Sequence, residues 1–269
     1  MDGRPIGVFD SGLGGLTTVK KLVEFLPGED IIYLGDTGRV PYGSRSRETI
    51  IRYARQDAAF LAGFDIKAMV VACNTACSVA FDALDEAYDM PVFEVIKAPA
   101  KAAVQLTANR RIGVIGTAAT IQSGAYEVAL KEAAPGYEVF TAECPLLVPL
   151  VENGRTDVND VAALAITEDY LAGMRFAGVD TLIMGCTHYP LMRGVISKVM
   201  GPGVTLVDSG AETAKAVALG ISTMNIGSGS GKTGTIKYFI TDSSDRFAVL
   251  ASRFIGFDIT GQIGQITLE

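Results

Sequence analysis

Short runs of apolar and β-branched residues alternate with amphipathic stretches along almost the whole 269-residue chain. The strand-like runs are 5–9, 30–34, 68–72, 111–116, 138–142, 181–184, 204–207 and 235–240. Helical periodicity lies between them and is clearest in 16–26, 47–63, 161–176 and 212–223. This alternation predicts an α/β fold of mostly parallel sheets flanked by helices. Because ligands in such folds bind beyond the carboxyl ends of the strands, the strand ends are the places to search for a site.

The chain also repeats itself in order and at nearly constant spacing. Residues 6–8 (IGV) recur as 112–114, the dipeptide 40–41 (VP) recurs as 148–149, and 69–75 (MVVACNT) resembles 182–188 (LIMGCTH). A shared order favours duplication over chance, and the length suits two domains. We therefore expect two similar α/β domains facing one cleft that the repeated cysteine turns mark. The first domain would comprise 1–97 plus a returning segment, 207–269, and the second would comprise 98–206.

Composition and charge exclude several classes of protein. A net charge of −7 argues against a nucleic-acid partner, which would need clustered Lys and Arg. The basic side chains of Arg45, Arg47, Arg52 and Arg55 are spread over a predicted helix and indicate a solvated face. There is no uncharged apolar run of about 18 residues, so we expect no membrane-spanning helix. The N-terminus lacks a basic-then-apolar leader, which favours a cytoplasmic location.

Four cysteines in a chain of this length do not suggest a disulfide framework. Cys73 and Cys186 occupy the two repeated turns, each at the end of an apolar strand and just before a helix. The helix dipole and its free N–H groups favour a thiolate there, so we interpret the pair as opposed proton-transferring bases. The alternative is that each is a small buried residue, as cysteine often is. Cys77 and Cys144 are interpreted as packing residues.

Three further side chains are candidates for assisting the cysteines. His188 is the only histidine and shares a turn with Cys186, where it could donate a hydrogen bond, share a proton or, when protonated, favour the thiolate. Asp10 ends the first strand, on the sheet edge that carries Cys73. A carboxylate there would raise the thiol pKa, so its service would be to accept or share the proton; the alternative is a turn or N-cap residue. Glu152 follows the second Val-Pro, although glutamate is common on surfaces.

Cofactor-dependent alternatives have weaker support in the sequence. Cys73, Cys77, Cys186 and His188 could form a Cys₃His metal site, but Cys-x-His is a cramped ligand pair and no Cys-x-x-Cys is present. The run 227–233 (GSGSGKT) is one residue short of a P-loop and precedes a predicted strand, so we expect a loop. The run 12–15 misses the dinucleotide spacing. Neither repeated turn carries the lysine of a pyridoxal enzyme. We therefore expect no cofactor and no metal.

Several motifs resemble those of a known family. They are 10–16 (DSGLGGL), 40–43 (VPYG), 72–76 (ACNTA), 185–190 (GCTHYP) and 206–209 (LVDS), and the similarity continues around 239–254. Together they resemble the glutamate racemases of the aspartate/glutamate racemase group over nearly the whole chain. The resemblance implies cofactor-free interconversion of L- and D-glutamate, which supplies D-glutamate for peptidoglycan. Aspartate or another α-substituted acid stays open as the substrate.

The resemblance also implies roles for individual residues. Cys73 and Cys186 would be the two bases, assisted by Asp10, Glu152 and His188. The substrate-holding pairs would be Asp10-Ser11, Tyr42-Gly43, Asn74-Thr75 and Thr187-His188. The segment 95–99 (VIKAP) departs from the usual domain linker, and the short N-terminus suggests that regulation by a cell-wall precursor, seen in longer relatives, is absent. The oligomeric state is left open, a homodimer included.

Racemisation itself sets a geometric requirement. A proton leaves one face of the α-carbon and another proton arrives on the opposite face. Since reacting atoms approach to about 3–3.5 Å, the two sulfurs should flank the carbon roughly 6–7 Å apart. Thiol and thiolate exchange roles with the direction of reaction, and N–H groups in the cleft would stabilise the carbanion by binding the α-carboxylate.

Overall fold

The computed structural model describes residues 1–229, 231–259 and 262–268, the side chains of 244–246 excepted. Over these residues the chain forms ten strands in two parallel sheets, with helices on their faces. The strands are β1 (Ile6–Asp10), β2 (Ile31–Gly35), β3 (Ala68–Val71), β4 (Val92–Phe93), β5 (Arg111–Gly116), β6 (Glu138–Glu143), β7 (Thr181–Gly185), β8 (Thr205–Asp208), β9 (Ile236–Ile240) and β10 (Ile263–Gln265). The predicted α/β class is confirmed.

Eleven α-helices connect and cover these strands in the described part of the chain. They are α1 (Leu16–Phe25), α2 (Arg47–Ala62), α3 (Asn74–Asp85), α4 (Lys97–Leu106), α5 (Ala118–Gln122), α6 (Ala125–Ala133), α7 (Leu147–Glu152), α8 (Val161–Phe176), α9 (Arg193–Met200), α10 (Ser209–Thr223) and α11 (Ser244–Ile255). Several begin at side chains that accept a hydrogen bond from the first turn, such as Ser46, Thr117, Asp160 and Asp208. Such N-caps fix where each helix starts, and Thr117 and Asp208 do so directly at the ends of β5 and β8.

The two sheets share one topology. The first has the strand order β10-β9-β2-β1-β3-β4 and the second has β6-β5-β7-β8, so the order β2-β1-β3-β4 matches the whole second sheet. The repeated IGV runs lie in β1 and β5. The glycine in each run allows a neighbouring side chain to pack directly against the strand backbone. A Cβ at Gly7 would lie 2.6 Å from Ile66, and one at Gly113 would lie 2.8 Å from Leu182. The prediction of two similar domains is confirmed.

Burial explains why the central strands read as continuous apolar runs. Every residue of β1, β2, β3 and β7 is buried, as expected for parallel strands covered on both faces. The edge strand β6 is mostly exposed or half-buried. The solvated face predicted for α2 is confirmed, since Arg52 and Arg55 are exposed.

The C-terminal segment returns to the first sheet. Strands β9 and β10 extend that sheet beyond β2, and α10 and α11 pack against α1. The boundary expected at 206/207 falls inside β8, which belongs to the second sheet, so the return begins after Asp208. In the run 227–233, of which Ser230 lies outside the described residues, no P-loop helix follows; β9 comes next. None of the described helices is long and apolar enough to cross a bilayer.

A buried ion pair joins four segments of the chain at the amino ends of the strands of the first sheet. Lys67 Nζ donates to Glu29 Oε2 and to the carbonyl of Asp2, 2.8 Å away, and Glu29 Oε1 accepts from the N–H of Ser228, also 2.8 Å away. The lysine side chain has no exposed area and that of the glutamate is 4% exposed. Loss of one partner would leave the other charge buried without compensation.

We predict that Lys67→Met lowers the free energy of unfolding by about 3–5 kcal/mol, because the buried Glu29 carboxyl loses its cationic partner. Urea denaturation measures the change. Lys21→Met is the matched control, since Lys21 pairs with Glu24 at the surface and should change stability by less than about 0.5 kcal/mol. Equal effects of the two substitutions would contradict the assignment.

Candidate active site

The carboxyl ends of strands from both sheets meet at one pocket. The ends of β1 and β3 approach it from the first sheet, and those of β5, β6 and β7 from the second. Its cavity volume is about 50 Å³. The lining residues are Ser11, Gly12, Leu13, Val40, Pro41, Tyr42, Gly43, Cys73, Asn74, Thr75, Thr117, Val148, Glu152, Cys186, Thr187 and His188. The structure therefore brings both cysteines of the repeat to a single cavity between the sheets.

Cys73 lies between β3 and α3 and serves as the N-cap of α3. Its sulfur accepts a hydrogen bond from the N–H of Ala76 and donates one to Ser11 Oγ, each over 3.4 Å. The expectation that the helix end yields a thiolate is wrong for Cys73. Burial, followed by the charge of Asp10, raises the pKa of this thiol to about 12 and outweighs the hydrogen bonds that favour the thiolate.

Asp10 lies behind the pocket wall and is fully buried. Its Oδ2 accepts from the N–H of Gly12 over 2.9 Å, and its Oδ1 accepts from Thr187 Oγ1 over 3.4 Å. Burial raises the pKa of the Asp10 carboxyl, although the charge of His188 and these hydrogen bonds oppose the rise. The carboxyl thus stabilises the turn before α1 without capping that helix, whose N-cap is Gly15. It also lies close enough to Cys73 to affect its ionisation.

His188 lies on the other side of the pocket, beside Cys186. Its Nε2 is 3.1 Å from Glu152 Oε1, and its ring packs edge-on against Phe254 with centroids 5.2 Å apart. Burial opposes protonation of His188, but hydrogen bonds with Cys186 and Glu152 outweigh it and raise the pKa of the imidazole to about 10. This raised pKa favours the imidazolium at neutral pH, the charge that would favour a thiolate on Cys186. Glu152, at the end of α7, is 38% exposed and lies on the solvent side of His188.

The two cysteines occupy equivalent strand ends but different electrostatic surroundings. Cys73 is buried next to a carboxyl, which disfavours negative charge on its sulfur. Cys186 lies beside His188, and its interaction with the ring raises the pKa of the imidazole. One side of the pocket therefore favours a proton on sulfur, and the other places a cation where a thiolate would form.

The predicted substrate-holding residues lie around these two cysteines, with Asp10 alone set back from the lining. Asn74 is fixed by Tyr126, whose hydroxyl donates to its Oδ1 over 2.6 Å, and its Nδ2 donates to Ser209 Oγ over 3.3 Å. Thr75 Oγ1 lies 2.9 Å from Thr117 Oγ1 of the second domain. The first N–H groups of α3 have no partner within the helix and are suited to a carboxylate. The roles of these residues in binding and catalysis stay predictions.

Sequence reasoning missed part of the lining. The missed residues are Gly12, Leu13, Val40, Pro41, Thr117 and Val148. The repeat held a signal for four of them, because alignment of the IGV runs places Thr117 opposite Ser11, and the Val-Pro repeat contains Val40, Pro41 and Val148. The other two, Gly12 and Leu13, lie in the turn after β1, whose path depends on tertiary contacts.

The remaining cysteines lie outside the pocket lining. Cys77 faces Glu94, with its sulfur 3.7 Å from Oε2, and the sulfur of Cys144 lies 3.7 Å from the carbonyl of Ala142. Both are buried. Among the residues that the structure describes, no three His, Cys, Asp or Glu side chains are arranged to hold a metal ion.

Comparison with known proteins gives a consistent family. The sequence model of the Asp/Glu/hydantoin racemase family matches residues 6–217. The glutamate racemase of Geobacter metallireducens is 47% identical over 269 residues, which cover 100% of this chain and 98% of that protein. The glutamate racemase of Enterococcus faecalis is 44% identical over 254 residues, covering 94% of this chain and 92% of the relative.

Solved structures show the same architecture. Glutamate racemase isoform RacE1 from Bacillus anthracis superposes with a TM-score of 0.94 at 38% identity, covering 100% of this chain and 99% of that one. The Francisella tularensis glutamate racemase, solved in complex with D-glutamate, superposes with a TM-score of 0.93 at 35% identity and the same coverage. With the pocket, the duplicated sheets and these similarities together, the chain belongs to the Asp/Glu/hydantoin racemase family.

Proposed function

We propose that the protein interconverts L- and D-glutamate without a cofactor, with Cys73 and Cys186 as the two bases. The observation that carries the proposal is their placement. The two sulfur-bearing turns follow equivalent strands, β3 and β7, of two similar sheets, and both line one small cavity. Two observations support glutamate as the substrate. The relative from Geobacter, which matches this chain over its full length, is named a glutamate racemase, and the Francisella structure contains bound D-glutamate.

The proposed reaction conserves atoms and charge. A thiolate on one side removes the α-proton, the C–H electron pair stays on the α-carbon as a carbanion, and the thiol on the other side delivers its proton to the opposite face. The enzyme then holds its proton on the other sulfur and must exchange protons before the next turnover in the same direction. His188 and Asp10 are proposed to assist, because each lies beside one cysteine and each has a pKa shifted towards the protonated form.

The carbanion requires electrostatic stabilisation, which the helix starts at the pocket can supply. Free N–H groups in the first turns of α3 and α5 would bind the α-carboxylate and the charge delocalised onto it in the transition state. Asn74, Thr75 and Thr187 would orient the substrate from both domains. The pairs Asp10-Ser11, Tyr42-Gly43, Asn74-Thr75 and Thr187-His188 are the proposed binding residues.

The size of the cavity implies movement of the domains. A volume of about 50 Å³ is far below the roughly 300 Å³ at the lower end for ligand sites. Substrate would therefore enter when the two domains separate, and closure would exclude water around the carbanion. We place the domains at 1–97 plus the returning segment and 98–206, with the return shifted to follow Asp208. Supply of D-glutamate for peptidoglycan in the cytoplasm is the proposed physiological role.

We predict that Cys73→Ser and Cys186→Ser each lower kcat for racemisation by at least about 100-fold, because an alcohol replaces an acid–base group. Circular dichroism of L-glutamate solutions follows the reaction in either direction. Cys77→Ser is the matched control, since Cys77 is buried against Glu94 outside the pocket and its substitution should leave the rate within about threefold. Wild-type rates in either pocket variant would refute the two-base proposal.

Isotope incorporation gives an independent prediction. When L-glutamate reacts in deuterated water, the D-glutamate formed early should carry deuterium at the α-carbon, while the remaining L-glutamate should stay largely protiated. Two bases require this asymmetry, because the proton delivered comes from the sulfur that had equilibrated with solvent. Nuclear magnetic resonance of the separated enantiomers measures it. Early product that retains the substrate proton would indicate a single base.

The His188–Glu152 contact predicts a pH dependence. Because the pKa of His188 is raised to about 10, the imidazolium is present through neutral pH and is lost as the pH rises through that value. Activity should therefore fall on the basic side near pH 10. Glu152→Gln removes one cause of the raised pKa and should shift this limb to lower pH by roughly one unit. The pH profile of kcat/KM measures the shift, and Glu143→Gln, on an exposed glutamate, should not move it.

A further inference from the structure

Behind the pocket wall made by Tyr42 and Gly43 lies a group of four ionisable side chains, Asp36, Arg39, Tyr42 and Asp57, here called the Asp36–Asp57 cluster. Neither aspartate has any exposed area, and Tyr42 is 1% exposed. Arg39 donates through Nε to Asp36 Oδ2 over 2.6 Å and through Nη2 to Asp57 Oδ1 over 2.9 Å. The hydroxyl of Tyr42 contacts Oδ2 of both aspartates. The cluster thus fastens α2 to the turn that reaches the pocket.

If both aspartates were ionised, the cluster would lack one hydrogen for its contacts. A tyrosine hydroxyl has a single hydrogen to donate, yet Tyr42 Oη lies within hydrogen-bond distance of two carboxyl oxygens. Asp36 already accepts from Arg39 at Oδ2 and from Thr241 Oγ1 at Oδ1, the latter over 2.8 Å. Asp57 Oδ2 has its contact with Tyr42 Oη, 2.9 Å away. The second hydrogen therefore belongs on Asp57, which donates to Tyr42 while Tyr42 donates to Asp36.

The charge balance agrees with this assignment. With Asp57 neutral, the cation of Arg39 and the anion of Asp36 cancel, whereas two ionised aspartates would leave a net negative charge in the interior. Burial, followed by the charge of Asp36, raises the pKa of Asp57 well above its usual value, and Arg39 only partly opposes this. Asp10 acts in the same direction as Asp36. Tyr53 and Gln56 of α2 complete the surroundings of Arg39 through a ring contact and a hydrogen bond.

We propose that Asp36, Arg39 and Asp57 are positioning residues for the Tyr42–Gly43 wall, with Asp57 held as a neutral carboxylic acid. Because the hydroxyl of Tyr42 is hydrogen-bonded within the cluster, the pocket is lined by the ring or the backbone of this wall. The opposite side of the wall touches the second domain, since a Cβ at Gly43 would lie 2.9 Å from Thr117 Cβ. A wall clamped on one side by the cluster and set against the other domain would keep its place during closure. The inference rests on the proposed function in that this wall would contact substrate.

Two substitutions at Asp57 test the proposal. Asp57→Ala removes both hydrogen bonds and should raise KM for L-glutamate by about tenfold or more, with a smaller change in kcat, because a binding wall contributes to substrate and transition state alike. Asp57→Asn should restore KM to within about threefold, since an amide can donate to Tyr42 and accept from Arg39 as the neutral acid does. An asparagine variant as impaired as the alanine variant would show that the aspartate charge is required and would overturn the proposal.

Infrared spectroscopy tests the protonation state directly. The wild-type protein at pH 7 should show a carbonyl stretch of a protonated carboxylic acid that Asp57→Asn removes and that Asp169→Asn, on an exposed residue of α8, leaves unchanged. A wild-type spectrum that differs from Asp57→Asn only in ionised carboxylate bands would overturn the neutral acid. This readout decides the matter if Asp57→Ala does not fold. This measurement also distinguishes the present inference from the proposed function. The band reports the protonation of Asp57 whether or not the protein racemises glutamate.

Discussion

The ionisation of the pocket side chains depends on their burial at the carboxyl ends of the two parallel sheets, where charged groups are removed from water. The strands are buried on both faces, so side chains at their ends are enclosed before any substrate arrives. In that setting each neighbouring charge has a large effect, because a low local dielectric strengthens electrostatic interactions. Asp10 raises the pKa of Cys73, and Cys186 helps raise that of His188, through contacts that would matter much less on an exposed surface.

Contacts close to the backbone hold the two domains in register around the cavity. A Cβ at Gly14 would lie 2.0 Å from Thr187 Oγ1, so the turn before α1 approaches the second cysteine turn as closely as glycine permits. Thr17 Oγ1 donates to the carbonyl of Thr187 over 3.0 Å, which crosses the same boundary. These contacts connect turns that carry proposed catalytic groups. Relative movement of the domains would therefore change the distance between the two proposed bases.

The sequence predicted the fold and the two cysteine turns of the pocket for one physical reason, whereas the substrate-holding pairs came from its resemblance to the glutamate racemases. Strand ends in parallel sheets converge, and the repeat marked which strand ends are equivalent. It could not predict β4 and β10, because strands of 2 and 3 residues carry too little pattern. It predicted the wrong ionisation for Cys73, because the effect of the helix end is local and visible while the depth of burial is not. The Asp36–Asp57 cluster was also missed, since Asp57 lies within a helix of mixed polarity and its partners come from elsewhere in the chain.

Duplication made the two cysteines equivalent in position but left them unequal in their electrostatic surroundings. For an enzyme that interconverts mirror images, the two substrates have equal free energy, so kcat/KM must be the same in both directions. The carboxyl near Cys73 and the imidazolium near Cys186 therefore cannot bias the outcome. They can still set which protonation state of the free enzyme predominates, and kcat and KM for one enantiomer then both exceed those for the other by the same factor. Unequal surroundings of the two cysteines are thus compatible with racemisation. They would appear as different KM values for the two enantiomers.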